Sequence, residues 1–226
     1  MRGLAAAGAR RRALTVPRLV RQPVVAAPPA GGSPFTLYPS AQSGYLSSSN
    51  AAYATARAGS SLGANVGATP YVGQGYYAGD YHTPAGYDLY EAFIDFDTSG
   101  VTGTIATATL SLGLSADNSS TDFTVEARVR DWGSTLTTAD WVAGADLASL
   151  TLAATLATNG IGAAGAYKAM TEVGTSLRGA INQAGITRFV LASDRTRLST
   201  DPSGDEFVAF EAYNQTLKAK LVVTTT

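Results

Sequence analysis

From Phe35 onward, apolar and polar residues alternate with a period of two along much of this chain, the spacing of a half-buried β-strand. The clearest case is 87–97, YDLYEAFIDFD. Tyr90, Ala92, Ile94 and Phe96 fall on one face there, and Glu91, Asp95 and Asp97 on the other, with Phe93 among them. After the turn TSGVTG, Ala106, Ala108, Leu110, Leu112 and Leu114 alternate with Thr107, Thr109, Ser111 and Gly113. A polar loop then leads to Phe123, Val125, Ala127 and Val129, predicted to face inward, with Thr124, Glu126, Arg128 and Arg130 facing out. Three such strands in succession with polar turns predict an antiparallel meander rather than βαβ units.

Further along, 134–166 is rich in Ala, Thr and Gly and weakly patterned. Val173, Leu177 and Ile181 recur at i, i+4 and i+8, which predicts one short helix within 171–184, ended by Gly185. Residues 186–192 are a mostly apolar run suited to a central strand. Val208, Phe210 and Ala212 alternate again, and Leu217, Ala219, Leu221 and Val223 give a closing strand. Seven to nine strands, one short helix and Gly-rich loops predict an all-β, antiparallel β-sandwich of jelly-roll type over residues 35–226.

Composition changes this picture in two ways. Charged residues make up 15% of the 226, below the usual ~25%, as suits short strands and tight Thr/Ser/Gly turns. There is no cysteine, so disulfides and thiolate chemistry are excluded. No apolar run approaches the ~20 residues of a membrane-spanning helix.

Charge is split along the chain. Residues 1–79 hold seven arginines and no acid, whereas 80–226 hold nine basic groups and all seventeen acids. Residues 1–34 thus form a predicted extended, Arg-rich docking arm hinged at Gly-Gly-Ser-Pro, carrying Arg2, Arg10, Arg11, Arg12, Arg18 and Arg21. Pro17, Arg18 and Arg21 interrupt any apolar region after Arg12, so a retained arm is favoured over a cleaved signal. Without lysine or interleaved aromatics, the arm suits an acidic protein surface at least as well as nucleic acid.

EAFIDFDTSGVTGTIATATLSLGL, RDWGSTLTTADW and GDEFVAFEAYNQTLKAKLVVTTT, in this order, resemble the central hairpin, the D-W element and the C-terminal strand pair of DNRLRE-type jelly-roll domains. YATAR and TLTTADWVAGA are similar to segments of minor structural proteins of tailed bacteriophages, whether of tail or capsid surface. The resemblance covers about 45–226. It implies a carbohydrate-binding-module-like fold, a virion or cell-surface binding role, and no catalytic residue.

Candidate chemistry is sparse. His82, the single histidine, lies in GQGYYAGDYHTPAGY without a nucleophile elbow nearby and is expected to be an exposed loop imidazole. Glu91, Asp95 and Asp97 are expected to be a solvated strand face. The acids of 193–206 match no EF-hand spacing and equally suit turns. Tyr76, Tyr77 and Tyr81 sit beside glycines in an expected loop, where they could stack on sugar or anchor an interface.

The expectation is therefore a non-enzymatic virion structural protein without cofactor or metal. It would be held to other virion proteins by its arm, would form homo-oligomers, and would act neither in a membrane nor on nucleic acid. The alternative is an adhesin module for host-surface glycans.

Overall fold

The computed structural model describes residues 32, 34–80 and 85–226, an antiparallel β-sandwich. The predicted arm, apart from Gly32 and Pro34, lies outside the described residues, as do Tyr81 and His82. In chain order the strands are β1 (Phe35–Leu37), β2 (Gly44–Asn50), β3 (Gly63–Val66), β4 (Tyr71–Tyr77), β5 (Gly86–Asp97) and β6 (Ile105–Asp117). These are followed by β7 (Thr124–Val129), β8 (Leu152–Ala157), β9 (Ala166–Ala169), β10 (Thr171–Glu172), β11 (Ile186–Ser193), β12 (Asp205–Phe210) and β13 (Lys220–Thr225).

Two long strands organise the layers. β5 carries β2 on one edge; on the other, β4 pairs with its N-terminal half and β11 with its C-terminal half. The layer continues from β11 through β7 and β8 to β10. β6 carries β9 on one edge and, end to end on the other, β13 and β12. β4 also pairs with β12, so backbone hydrogen bonding runs unbroken from one layer into the other. Contrary to the expected meander, β5, β6 and β7 do not pair with one another: β5 takes β2, β4 and β11, β6 takes β9, β12 and β13, and β7 takes β8 and β11. A strand with one apolar face buries it equally well by crossing to the opposite layer, the wiring of Greek-key sandwiches.

Ala92, Ile94, Phe96, Val125, Ala127, Phe189 and Leu191 pack against Leu110, Leu112, Leu114, Val208, Phe210, Leu221 and Val223 in one core. These are the inward positions that period-two alternation predicts. The outer faces differ from expectation. Glu91, Asp95, Glu126 and Arg128 are all buried, and only Asp97 of the predicted solvated face is exposed. For Glu91 and Arg128 the cause is the segment after β7, whose Val142 amide and Leu150 carbonyl they meet, whereas Asp95 is covered by the β1–β2 connection. Trp132, Leu136, Val142 and Leu147 lie over the back of β5 and β11, enclosing a second core with Leu46, Phe93 and Val190. Phe93 meets Trp132 edge-on, with ring centroids 5.4 Å apart.

Three of these four charged groups, Asp95, Glu126 and Arg128, are compensated by hydrogen bonds or ion pairs. Asp95 accepts hydrogen bonds from the Ser40 amide (3.0 Å), the Ser40 hydroxyl (2.8 Å) and the Ser43 hydroxyl (2.7 Å), tying down the β1–β2 connection. Glu126 is held by Arg128 and Arg197, each at 2.9 Å. Such paired geometry is what makes a buried carboxylate tolerable.

The single predicted helix shortens to α2 (Ser176–Gly179), because Thr171 and Glu172 are taken up as β10. Two further one- to two-turn helices, α1 (Tyr53–Gly59) and α3 (Asp194–Leu198), were not anticipated. Each follows a strand and is too short to show a 3.6-residue period.

Candidate functional site: an aromatic and carboxylate face

The face of β5 that carries Ala92, Ile94 and Phe96 into the core continues toward the strand's N-terminal end, where it opens to solvent. There Tyr90 is half-buried and meets Tyr45 of β2, Tyr71 of β4 and Phe207 of β12. Ring centroids are 5.1 Å apart for Tyr45–Tyr71, 5.7 Å for Tyr71–Tyr90, 5.9 Å for Tyr71–Phe207 and 5.6 Å for Tyr90–Phe207. These tilted and edge-on contacts are favourable for aromatic quadrupoles. The four rings line an open depression of about 290 Å³.

Register explains the arrangement. Tyr90, Gly73 and Phe207 are neighbours in one row across β5, β4 and β12, and Ser47 extends the row into β2. The next row on the same face is Ser49, Asp88, Gly75 and Asp205. In both rows β4 contributes a glycine, so the outer side chains close over bare backbone. Gly73 has φ +134°, and a Cβ there would come within 2.2 Å of the Glu206 carbonyl oxygen, so the position accepts no side chain. The rings of Tyr90 and Phe207 shield its backbone from water while presenting their outer faces. Gly75 is different: a Cβ there would meet Asp205 Oδ1 at 3.4 Å, an ordinary contact.

The other face of β4 and β12 is locked by a buried polar network. The Tyr53 hydroxyl donates to Gln74 Oε1 at 2.7 Å, and Thr196 Oγ1 donates to the same oxygen at 3.1 Å. Gln74 Nε2 donates to the Thr200 carbonyl at 2.7 Å and to Glu206 Oε2 at 2.9 Å. Arg195 grips Glu206 with Nε at 2.6 Å and a second nitrogen at 3.2 Å. Gln74 lies between the two groove glycines, so this network fixes the floor of the groove from beneath. Burial raises the Tyr53 phenol pKa, with Arg57 opposing, which keeps the hydroxyl a donor.

Of the four acids in the expected carboxylate loop 193–206, Asp194 and Glu206 are held in structural contacts. Asp194 begins α3 and accepts from the Thr124 amide at 2.9 Å, and Glu206 belongs to Arg195. Among the described residues, no three potential ligands gather as they would around a metal ion. None of their helices is long and apolar enough to cross a membrane.

Of the tyrosines singled out by sequence, Tyr76 and Tyr77 end β4 rather than sitting in a loop, and they point to opposite faces. Tyr76 packs on Tyr87 at 5.0 Å, in line with Tyr53 on the α1 side. Tyr77 is exposed at the far end of the groove face, its hydroxyl near Gly86. The sequence reading did not single out Tyr45, Tyr71, Asp88 and Phe207, weighed Asp205 only among the acids of 193–206, and placed Tyr90 on the inward face with Ala92, Ile94 and Phe96. The available signal was the G-Q-G of β4, two glycines one strand period apart beside aromatic residues.

No protein-family model matches the chain, and no curated protein is similar to it. The fold and this open face define an antiparallel β-sandwich with an aromatic platform next to a carboxylate row.

Proposed function

We propose that this chain is a non-catalytic glycan-binding β-sandwich whose ligand lies on the Tyr45–Tyr71–Tyr90–Phe207 face. One observation carries the reading: half-exposed rings from four strands form a shallow depression continuous with hydrogen-bonding carboxylates and serines. Rings of this kind stack on the C–H faces of a sugar, while Asp88, Asp205 and Ser47 offer acceptors and donors to its hydroxyls. Gly73 and Tyr77 are four positions apart on an extended strand, roughly 13 Å, so the face would hold a short oligosaccharide.

The deciding experiment is a glycan array with wild-type protein, Tyr90→Ala/Phe207→Ala, and Gly75→Ala. Both variants should lose the wild-type signal. Gly75→Ala sets its methyl in ordinary contact with Asp205 Oδ1, on the groove floor, and should keep or slightly raise the melting temperature, because glycine weakens strands by ~0.5–1 kcal/mol. Unchanged binding in both variants would refute the platform.

A second reading, compatible with the first, is display on a virion. It rests on the seven arginines that precede any acid and on the resemblance to phage structural proteins. In this reading residues 1–34 dock the sandwich to an acidic particle surface. Deleting them should leave a folded, glycan-competent body that no longer joins the particle; assembly at full occupancy would refute the docking role.

A further inference from the structure

We infer that the Asp88–Gly75–Asp205 row makes this groove a charge filter, accepting uncharged or amino-bearing glycans and rejecting those with uronic or sialic acids. The inference rests on the glycan-binding reading above and adds the ligand's chemical class. Asp88 and Asp205 are both register partners of Gly75, on its two sides, so both carboxylates flank the same bare stretch of β4. Asp88 is half-buried and Asp205 exposed.

Both carboxylates act on the platform itself. The Tyr90 hydroxyl has its pKa raised first by burial and then by Asp88, with a smaller contribution from Asp205. The neighbouring cation on β12's flank does not offset them: Arg195 is bound to Glu206 on the opposite face of the sheet. Asp88 accepts a hydrogen bond from Ser49, which fixes one carboxylate oxygen in the groove wall. A sugar hydroxyl or ammonium donates to such a wall. A sugar carboxylate cannot donate, and meets two like charges at a partly desolvated site.

The test is titration calorimetry at low ionic strength with three trisaccharides of one linkage, built from a neutral hexose, a hexosamine and a hexuronate. Wild-type protein should bind the hexosamine at least as tightly as the hexose, and the hexuronate at least about tenfold more weakly. Raising salt should narrow the gap, since Asp205 is exposed to screening. Asp88→Asn/Asp205→Asn keeps the side-chain size, and circular dichroism and melting report whether it folds. It should bring the three ligands within about threefold of one another. Asp205→Asn alone leaves the Ser49 contact intact and should give a partial version of the same change. Hexuronate binding equal to that of the hexose, or a gap that persists in the double variant, would overturn the charge filter and leave the platform standing. Failure of all three ligands to bind would overturn both.

Discussion

Tyr53 and Gln74 are joined by a 2.7 Å hydrogen bond beneath the sheet, directly behind the glycine-floored face that Gln74's two neighbours create. A polar residue at the centre of a strand is thus fixed on one side so that the other side can stay open. Four groups depend on the Gln74 amide: Tyr53, Thr196, the Thr200 carbonyl and Glu206.

Unequal costs are expected when this pair is cut from its two ends. Tyr53→Phe removes one donor while Thr196 still satisfies Gln74 Oε1, and should cost about 1 kcal/mol. Gln74→Leu strands several buried partners together and should cost about 1–3 kcal/mol or more, with weakened glycan binding as β4 loses its seat. Urea denaturation of both variants measures the difference; equal losses would mean that the network is not anchored on Gln74.

Glu91 provides a pH-dependent prediction. It is fully enclosed behind β5, with the Val142 amide donating to Oε2 at 3.0 Å and Oε1 unpartnered. Burial raises its pKa to about 8, opposed by that amide and by Arg130. The folded protein therefore retains a proton that the unfolded chain releases near the ordinary carboxylate value. Stability from this group is intact below that value and is lost progressively up to about pH 8, at up to about 1.4 kcal/mol per pH unit. Glu91→Gln keeps an acceptor for Val142 without the proton requirement. Its melting temperature should exceed wild type more at pH 8.5 than at pH 5. A pH-independent difference between the two proteins would show that Glu91 does not titrate in this window.

Phe93 and Ile94 face opposite sides of β5, and both are enclosed. Phe93→Ala should cost about 3–5 kcal/mol and Ile94→Ala about 2–5 kcal/mol. A half-exposed sheet would instead leave Phe93→Ala within about 0.5 kcal/mol of wild type. Guanidinium unfolding of the two variants distinguishes a sheet covered on both faces from one covered on a single face.

Local pattern was enough to specify the class of fold and one of its cores. The alternations through Ile94 and Phe96, Leu110 to Leu114, Val125 and Ala127, and Leu221 and Val223 all mark residues that are buried together. Period-two spacing is a local property of an extended chain, and burial of one face follows from it whatever the strand order. The pattern could not determine pairing, which is why β5, β6 and β7 read as a meander although they pair elsewhere. It also could not reveal that the segment from Trp132 to Leu147 covers the back of β5, turning part of a predicted solvated face into a buried one. The candidate site depended still more on tertiary structure. Tyr45, Tyr71, Tyr90 and Phe207 come from four strands, and Asp88 and Asp205 become neighbours only through their shared register with Gly75. A period shows which way a side chain points; which side chains stand beside it is decided only when distant strands pair.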